Sequence, residues 1–452
     1  MKWYLTICVL VSNLVAMGQQ DLEWIQKTMT EAPPQKKIWS LEECLEYART
    51  RNLTVLNAHL DKSSAEVNYR QSELERLPNL SANASESFTN GYSIDPITSA
   101  YVNEQIFATS ANLNSEIVVF NGFQLNNEIK KSKLLVDQNS FFVQEAENNI
   151  SLNITNAYLQ ALYYREEIYV TENTLDNSEI ALDIATARFE AGAIAKKDYS
   201  DALSQAASDR YLLIEARNNY NSQILILKQL LELGPETNFS IEEPDTNYNG
   251  VTIIDNKLNI YERALESLPE IKAGELNIAI NEKELDIAQG GYLPSLSLSG
   301  NLGTGYTSVQ DIGFYDQLNL NFNPRVSLSL NVPIFSRGQN RAQEQNARID
   351  IEKARINLKS TEKEVYEKVE TAWRNAIAAQ NQIIAAEAAR DAASDSYQLA
   401  QKQYEVGSIN TMDLLVSKNS YSNAEQNYIQ AKYLSILYSQ LLQFYQGNKI
   451  KI

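Results

Sequence analysis

The sequence predicts a mainly α-helical chain with a small β part, built as two copies of one unit. Three observations carry this: a shortage of turn residues, landmarks that recur at one offset, and a hydrophobic period that changes from 3.5 to 2 between helices. The 452 residues include 16 glycines and 10 prolines, about half the combined share of roughly 12% usual in proteins. Length alone would allow two or three domains at roughly 100–200 residues each. The scarcity of breakers instead implies long uninterrupted elements.

Gly122, Gly192 and Gly234 are followed by Gly338, Gly407 and Gly447 at offsets of 216, 215 and 213. Leu77-Pro78-Asn79-Leu80 matches Leu293-Pro294-Ser295-Leu296, Phe120 matches Phe335, and Ala48 with Val55 matches Ala264 with Ile271. Phe189-Glu190-Ala191-Gly192-Ala193-Ile194 matches Tyr404-Glu405-Val406-Gly407-Ser408-Ile409. A period this long is an internal duplication and not a solenoid repeat.

Proline-free runs can hold helices, which places them at about 40–76, 123–190 and 196–232, with counterparts at about 257–291, 338–405 and 411–446. At 1.5 Å per residue the two longest would each extend about 100 Å. Their seams step by three and four residues, from Ile154 through Ala161, Thr171 and Ser178 to Phe189, and again from Val369 to Tyr404. That 3.5 period supports left-handed supercoiled packing, and the many alanines permit close helix approach.

Between the first and second helices of each copy the period falls to 2. Leu296, Leu298, Gly300 and Leu302 alternate with Ser297, Ser299, Asn301 and Gly303, and Val326 to Val332 alternate likewise. Leu80 to Phe88 and Leu113 to Phe120 are the weaker first-copy versions. Such runs have roughly the 9–11 residues of a tilted transmembrane strand, although a soluble sheet with one wet face alternates in the same way. Four strands cannot close a barrel, and open sheet edges are not tolerated in lipid. If these strands enter a membrane the chain must oligomerise, and a trimer would supply a 12-stranded β-barrel continued by the long helices.

Lys2 followed by the apolar stretch Trp3–Ala16 and the small residues Ala16 and Gly18 predicts a signal peptide over 1–18. The box at Leu5-Thr6-Ile7-Cys8 has a bulky residue where lipidation wants a small one, so a lipid anchor is not expected. No later stretch has the 18 or more apolar residues of a spanning helix. After cleavage Cys44 is the one remaining cysteine, so no internal disulfide is expected.

A net charge of −18 excludes a nucleic-acid binder that works through a basic surface. One histidine and two cysteines exclude a His/Cys metal cluster. His59 reads as a surface or packing residue. Gly300, Gly303 and Gly305 resemble a phosphate loop only superficially, because they lie in an alternating strand with no following Lys-Ser/Thr. No catalytic constellation, cofactor site or metal site is expected. A secreted enzyme would need converging acid and base residues, and a periplasmic coiled-coil adaptor or scaffold would carry one hairpin flanked by compact β domains.

The duplicated helix, strand, strand, long helix, helix unit, the Leu-Pro step into each strand pair and the Phe-x-x-Gly or Tyr-x-x-Gly ending each long helix resemble the TolC-like outer membrane efflux proteins. The most specific stretch is Tyr404 to Leu415, YEVGSINTMDLL. The resemblance implies a homotrimer with a β-barrel in the outer membrane and a coiled α-helical barrel in the periplasm, the duct of a tripartite efflux or type I secretion system. Its partners would be a periplasmic adaptor (membrane fusion) protein, an inner-membrane transporter of RND or ABC type, and outer membrane lipid. Residues 19–39 would be a periplasmic segment, 40–232 the first repeat, 233–256 an equatorial linker, 257–447 the second repeat and 448–452 a tail.

The same resemblance implies a gate at the helical tip. Asp413 matches an acidic position whose ring binds cations, Asp198 is its first-copy equivalent beside Lys196 and Lys197, and Tyr404 matches an aromatic that holds the tip shut. Val416 stands where many members have a second Asp, and Ile409 where some have an Arg. Gly192, Ala193, Gly407 and Ser408 would form the tip turns that dock the adaptor. The alternative for Asp198 and Asp413 is a carboxylate in the first helical turn stabilised by the helix dipole, worth about 0.3–1 kcal/mol.

Overall fold

A computed structural model describes residues 38–243, 255–448 and 450; the signal peptide, most of segment 19–39, the middle of the linker and the last two residues lie outside these. The elements are β1 (Ile38–Trp39), α1 (Leu41–Arg51), α2 (Leu53–Leu74), β2 (Ser81–Ile94), β3 (Tyr101–Asn121), α3 (Gln124–Glu190), α4 (Lys196–Leu230), β4 (Ser240–Ile241), α5 (Lys257–Ser267), α6 (Pro269–Gly290), β5 (Ser295–Thr307), α7 (Phe314–Leu320), β6 (Asn323–Asn331), α8 (Gln339–Glu405) and α9 (Thr411–Tyr445). The duplication is visible in the helix lengths, which repeat in order as 11, 22, 67 and 35 residues.

Two expected helices are interrupted at equivalent places. The first breaks at Asn52, whose backbone is extended and whose side chain caps α2 through the Thr54 amide while donating to the Leu230 carbonyl at 3.0 Å. The second breaks at Leu268, as expected for a residue ahead of a proline. Two elements were not expected: α7, and the parallel ladder β1–β4 that pairs Ile38 with Ser240 and Trp39 with Ile241. The match of Gly234 to Gly447 is corrected. The left-handed residue that ends α4 is Glu232, at φ 53°, and it is the true counterpart of Gly447, at φ 82°.

Contacts divide the chain into two units, each holding parts of both copies. In the first (Met1–Asp61, Ser140–Ala273 and Lys359–Ile452), a core gathers Trp39, Cys44, Ala48 and Val55 with Ile154, Tyr158, Leu162, Leu227 and Ile429. Here the Tyr158 hydroxyl reaches the Trp39 and Glu242 carbonyls at 3.0 and 2.8 Å, which fixes the β1–β4 ladder against α3. The anticipated seams are largely buried, from Ile154 to Ala185 and from Val369 to Tyr404; Phe189 is the exposed exception.

The second unit (Lys62–Asn139 and Gly274–Leu358) holds a four-stranded antiparallel sheet in the order β2-β3-β5-β6. Register sorts its two faces. One carries rows such as Ala82–Leu113–Leu302–Pro324 and Ile117–Leu298–Leu328; the other carries Ser81–Asn114–Asn301–Arg325 and Ser85–Ser110–Gly305. A bulge at Val119 restores the phase, so that Phe120 falls opposite Leu296 on the apolar face. Every residue of β6 is exposed, and β2 and β6 both leave an unpaired edge. The glycines at 300, 303 and 305 are strand residues, as expected.

Candidate functional site at the hairpin ends

Each long helix ends in a glycine turn of one kind. The Gly192 amide donates to the Phe189 carbonyl and the Ala193 amide to the Arg188 carbonyl; Gly407 and Ser408 repeat this with Tyr404 and Gln403. This paired pattern is a Schellman cap, with the glycines at φ 73° and 78° and open space where a Cβ would stand. The return helices differ. Ahead of α9 the Asn410 side chain accepts from the Asp413 amide at 2.9 Å, whereas the residue ahead of α4, Ala195, offers no side-chain cap.

Asp198 and Asp413 are both the third residue of their helix, which upholds their equivalence. Asp413 is exposed and Asp198 half-buried. Lys197 turns to Asp201 at 2.6 Å instead of to Asp198, and that hydrogen bond is the main reason its ammonium is held above the ordinary lysine pKa. Tyr404 is only 4% exposed, packed with Tyr397, Ala400 and Leu414.

Two arrangements escaped the sequence reading. The Arg188 guanidinium lies 5.0 Å over the Tyr404 ring, and its Nη2 donates at 3.2 Å to the carbonyls of both Tyr404 and Glu405. It thereby joins the end of α3 to the end of α8, where a cation favours the helix C-terminus. Further along, Lys418 of α9 is buried and donates to Asp209 of α4 and Ser178 of α3, while Gln205 donates to the second Asp209 oxygen at 2.9 Å. Burial is the largest influence on Lys418 and pushes its pKa below the ordinary value; the Asp209 carboxylate pulls the other way. A signal for this cluster existed. Asp209 sits in the buried series Ala202, Ala206, Asp209, Leu213 and Ala216, a charge at a seam position.

The model of the outer membrane efflux protein family matches residues 44–232 and 260–447. The chain belongs to the outer membrane efflux protein family. It is therefore an outer membrane protein, and the two matched segments coincide with the two copies. Among curated relatives, the outer membrane protein TolC of Escherichia coli is 25% identical over 408 residues, covering 87% of this chain and 79% of that one. OprJ of Pseudomonas aeruginosa is 22% identical over 385 residues, 84% and 78% of the two chains. Crystal structures share the fold: CusC at a TM-score of 0.77 and 16% identity, covering 90% of this chain and 92% of that one, and the Campylobacter jejuni CmeC channel at 0.75 and 18%, covering 90% and 85%. The single hairpin flanked by compact β domains that an adaptor would carry is not the architecture of this family member. Among the described residues no helix is long and apolar enough to cross a membrane and no cluster of metal-ligating side chains is present.

Proposed function

We propose that three copies of this chain form one passive conduit, with twelve strands closing a barrel in the outer membrane and the paired long helices lining a tunnel through the periplasm. One observation carries the reading: a four-stranded sheet with one apolar face exposed and both edges unpaired, which is too small to close alone and untenable in lipid unless neighbours complete it. Cyclic symmetry closes it by pairing β2 of each copy with β6 of the next. The apolar face meets lipid, and the Ser/Asn face lines the bore.

The conduit would export drugs, other small molecules or polypeptides, working with a periplasmic adaptor and an RND or ABC transporter that supplies the energy. Asp413, with Asp198 in support, forms a carboxylate ring at the aperture. Tyr404, held by Arg188, keeps the hairpins together, and the turns at Gly192–Ala193 and Gly407–Ser408 are the docking points for the adaptor. Native mass spectrometry of detergent-extracted protein and conductance in planar bilayers test the assembly: a conducting trimer is expected, and a monomer that leaves the envelope in buffer alone overturns it. Asp413→Asn is expected to weaken block of the pore by divalent cations, and unchanged block removes that residue from the ring.

A further inference from the structure

Where β5 runs beside β3, register fills the polar face of the sheet mainly with serine, asparagine and glycine. Two ionisable residues stand among them: Glu116 of β3, opposite Ser299, and Arg325 of β6, opposite Asn301. Both are exposed, and among the described residues neither side chain has a hydrogen-bond or ion-pair partner. They are two strands and one same-face step apart, about 12 Å between backbones at roughly 4.8 Å per strand and 3.4 Å per residue.

The surroundings of Arg325 leave its guanidinium open. In its row, Ser81–Asn114–Asn301–Arg325, the Asn301 side-chain amide donates to the Asn114 side-chain oxygen at 2.5 Å, so those two amides are turned to each other. β6 is an edge, and in the trimer its neighbour would be β2 of the next copy. The one carboxylate of β2, Glu86, lies on the apolar face, where it accepts from the Thr109 hydroxyl. The polar face of β2 therefore brings hydroxyls and an amide beside Arg325, and no charge.

We propose that Arg325 is an anion site of the bore: three guanidinium groups, one per copy, form a ring that takes the carboxylate or phosphate groups of anionic permeants; this rests on the trimer reading above. Each guanidinium presents five N–H donors in a planar fork that fits carboxylate and phosphate two bonds at a time. Low-dielectric walls focus its field across the bore, and in pores with charged rings the sign of the ring sets which ions pass. Glu116 lies one same-face step nearer to Asn331, the end of β6 that leads into α8. A permeant leaving the helical part thus meets the carboxylates first and the guanidinium ring next.

The test uses the full chain in planar bilayers, with inositol hexakisphosphate added on the side of the strand connections. Block of the pore is expected. Arg325→Gln is expected to weaken it several-fold, Arg325→Lys to weaken it less because the charge stays and the fork is lost, and Glu116→Gln to strengthen it. In a salt gradient the reversal potential is expected to move toward cation preference for Arg325→Gln and toward anion preference for Glu116→Gln. A conducting trimer in which Arg325→Gln changes neither block nor reversal potential overturns the anion ring alone. A chain that forms no conducting trimer, or one in which a charged thiol reagent that cannot enter lipid modifies Leu328→Cys as fast as Arg325→Cys, overturns the trimer reading and the ring with it.

Discussion

Lys418 is a charge inside a largely apolar seam, and it is tolerable there because Asp209 and Ser178 meet it. Removing one partner of a buried pair costs about 3–5 kcal/mol, whereas replacing both by apolar groups is often neutral or stabilising. Asp209→Ala is therefore expected to lower the melting temperature of the purified protein markedly, and Asp209→Leu with Lys418→Met to restore it. Arg188 acts differently, since its partners are carbonyls and a ring. Arg188→Ala is expected to raise the resting conductance of the reconstituted pore, because the end of α8 then loses its tie to α3. Cys44 is a third case. Burial pushes its thiol from 9.0 up to about 12, so the folded chain keeps a proton that the unfolded chain releases above about pH 9. Stability falls as pH rises through that window, and alkylation located by mass spectrometry is expected at Cys44 only after unfolding.

Among the elements, equivalent glycines have unequal duties. A Cβ on Gly122 would sit 2.3 Å from the Gly290 carbonyl oxygen, and one on Gly290 would sit 2.5 Å from that of Gly122, so two backbones touch where strand β3 passes into helix α3. Gly338, the second-copy counterpart, has open space around it. Alanine at 338 or 407 costs only the left-handed backbone, about 1–2 kcal/mol, while Gly122→Ala must also push apart the two backbone segments that meet at Gly290. Yield of folded protein is expected to drop for Gly122→Ala and hold for Gly338→Ala. Helix ends were legible because Gly and Pro mark them, which is how 124–190 and 339–405 came within a residue of expectation. The break at Asn52 was not, since its partner Leu230 is remote in sequence, and Glu232 adopts the left-handed turn with no glycine to announce it. A two-residue ladder such as β1–β4 has no period to read.

For the whole molecule, the proposed function rests on what one copy lacks. Its sheet was legible from alternation, including which residues share a face, and four strands being too few to close alone was legible too; in the trimer proposed above, the strands that complete the sheet would come from other copies. The apolar row of β6, Val326, Leu328 and Leu330, is exposed, and in the proposed trimer it would face lipid. Arg or Lys at Leu328 is expected to cost about 2–4 kcal/mol if the residue lies near the bilayer midplane, and less toward either interface; the shift is read as loss of assembled protein from the outer membrane fraction. The site at the hairpin ends was legible as turns and acids, whereas Arg188 and Lys418 act through partners that sequence spacing cannot pair.

The equal lengths of α3 and α8, 67 residues each, restrict how this chain can change over generations. One added heptad in α3 alone would carry its hairpin about 10 Å beyond the other, out of reach of the Arg188 tie. To keep that tie, a lengthening of α3 needs an equal lengthening of α8. The β-hairpins are joined only edge to edge, through the β3–β5 ladder, and it is there that the halves differ in length, with strands of 14 and 21 residues against 13 and 9.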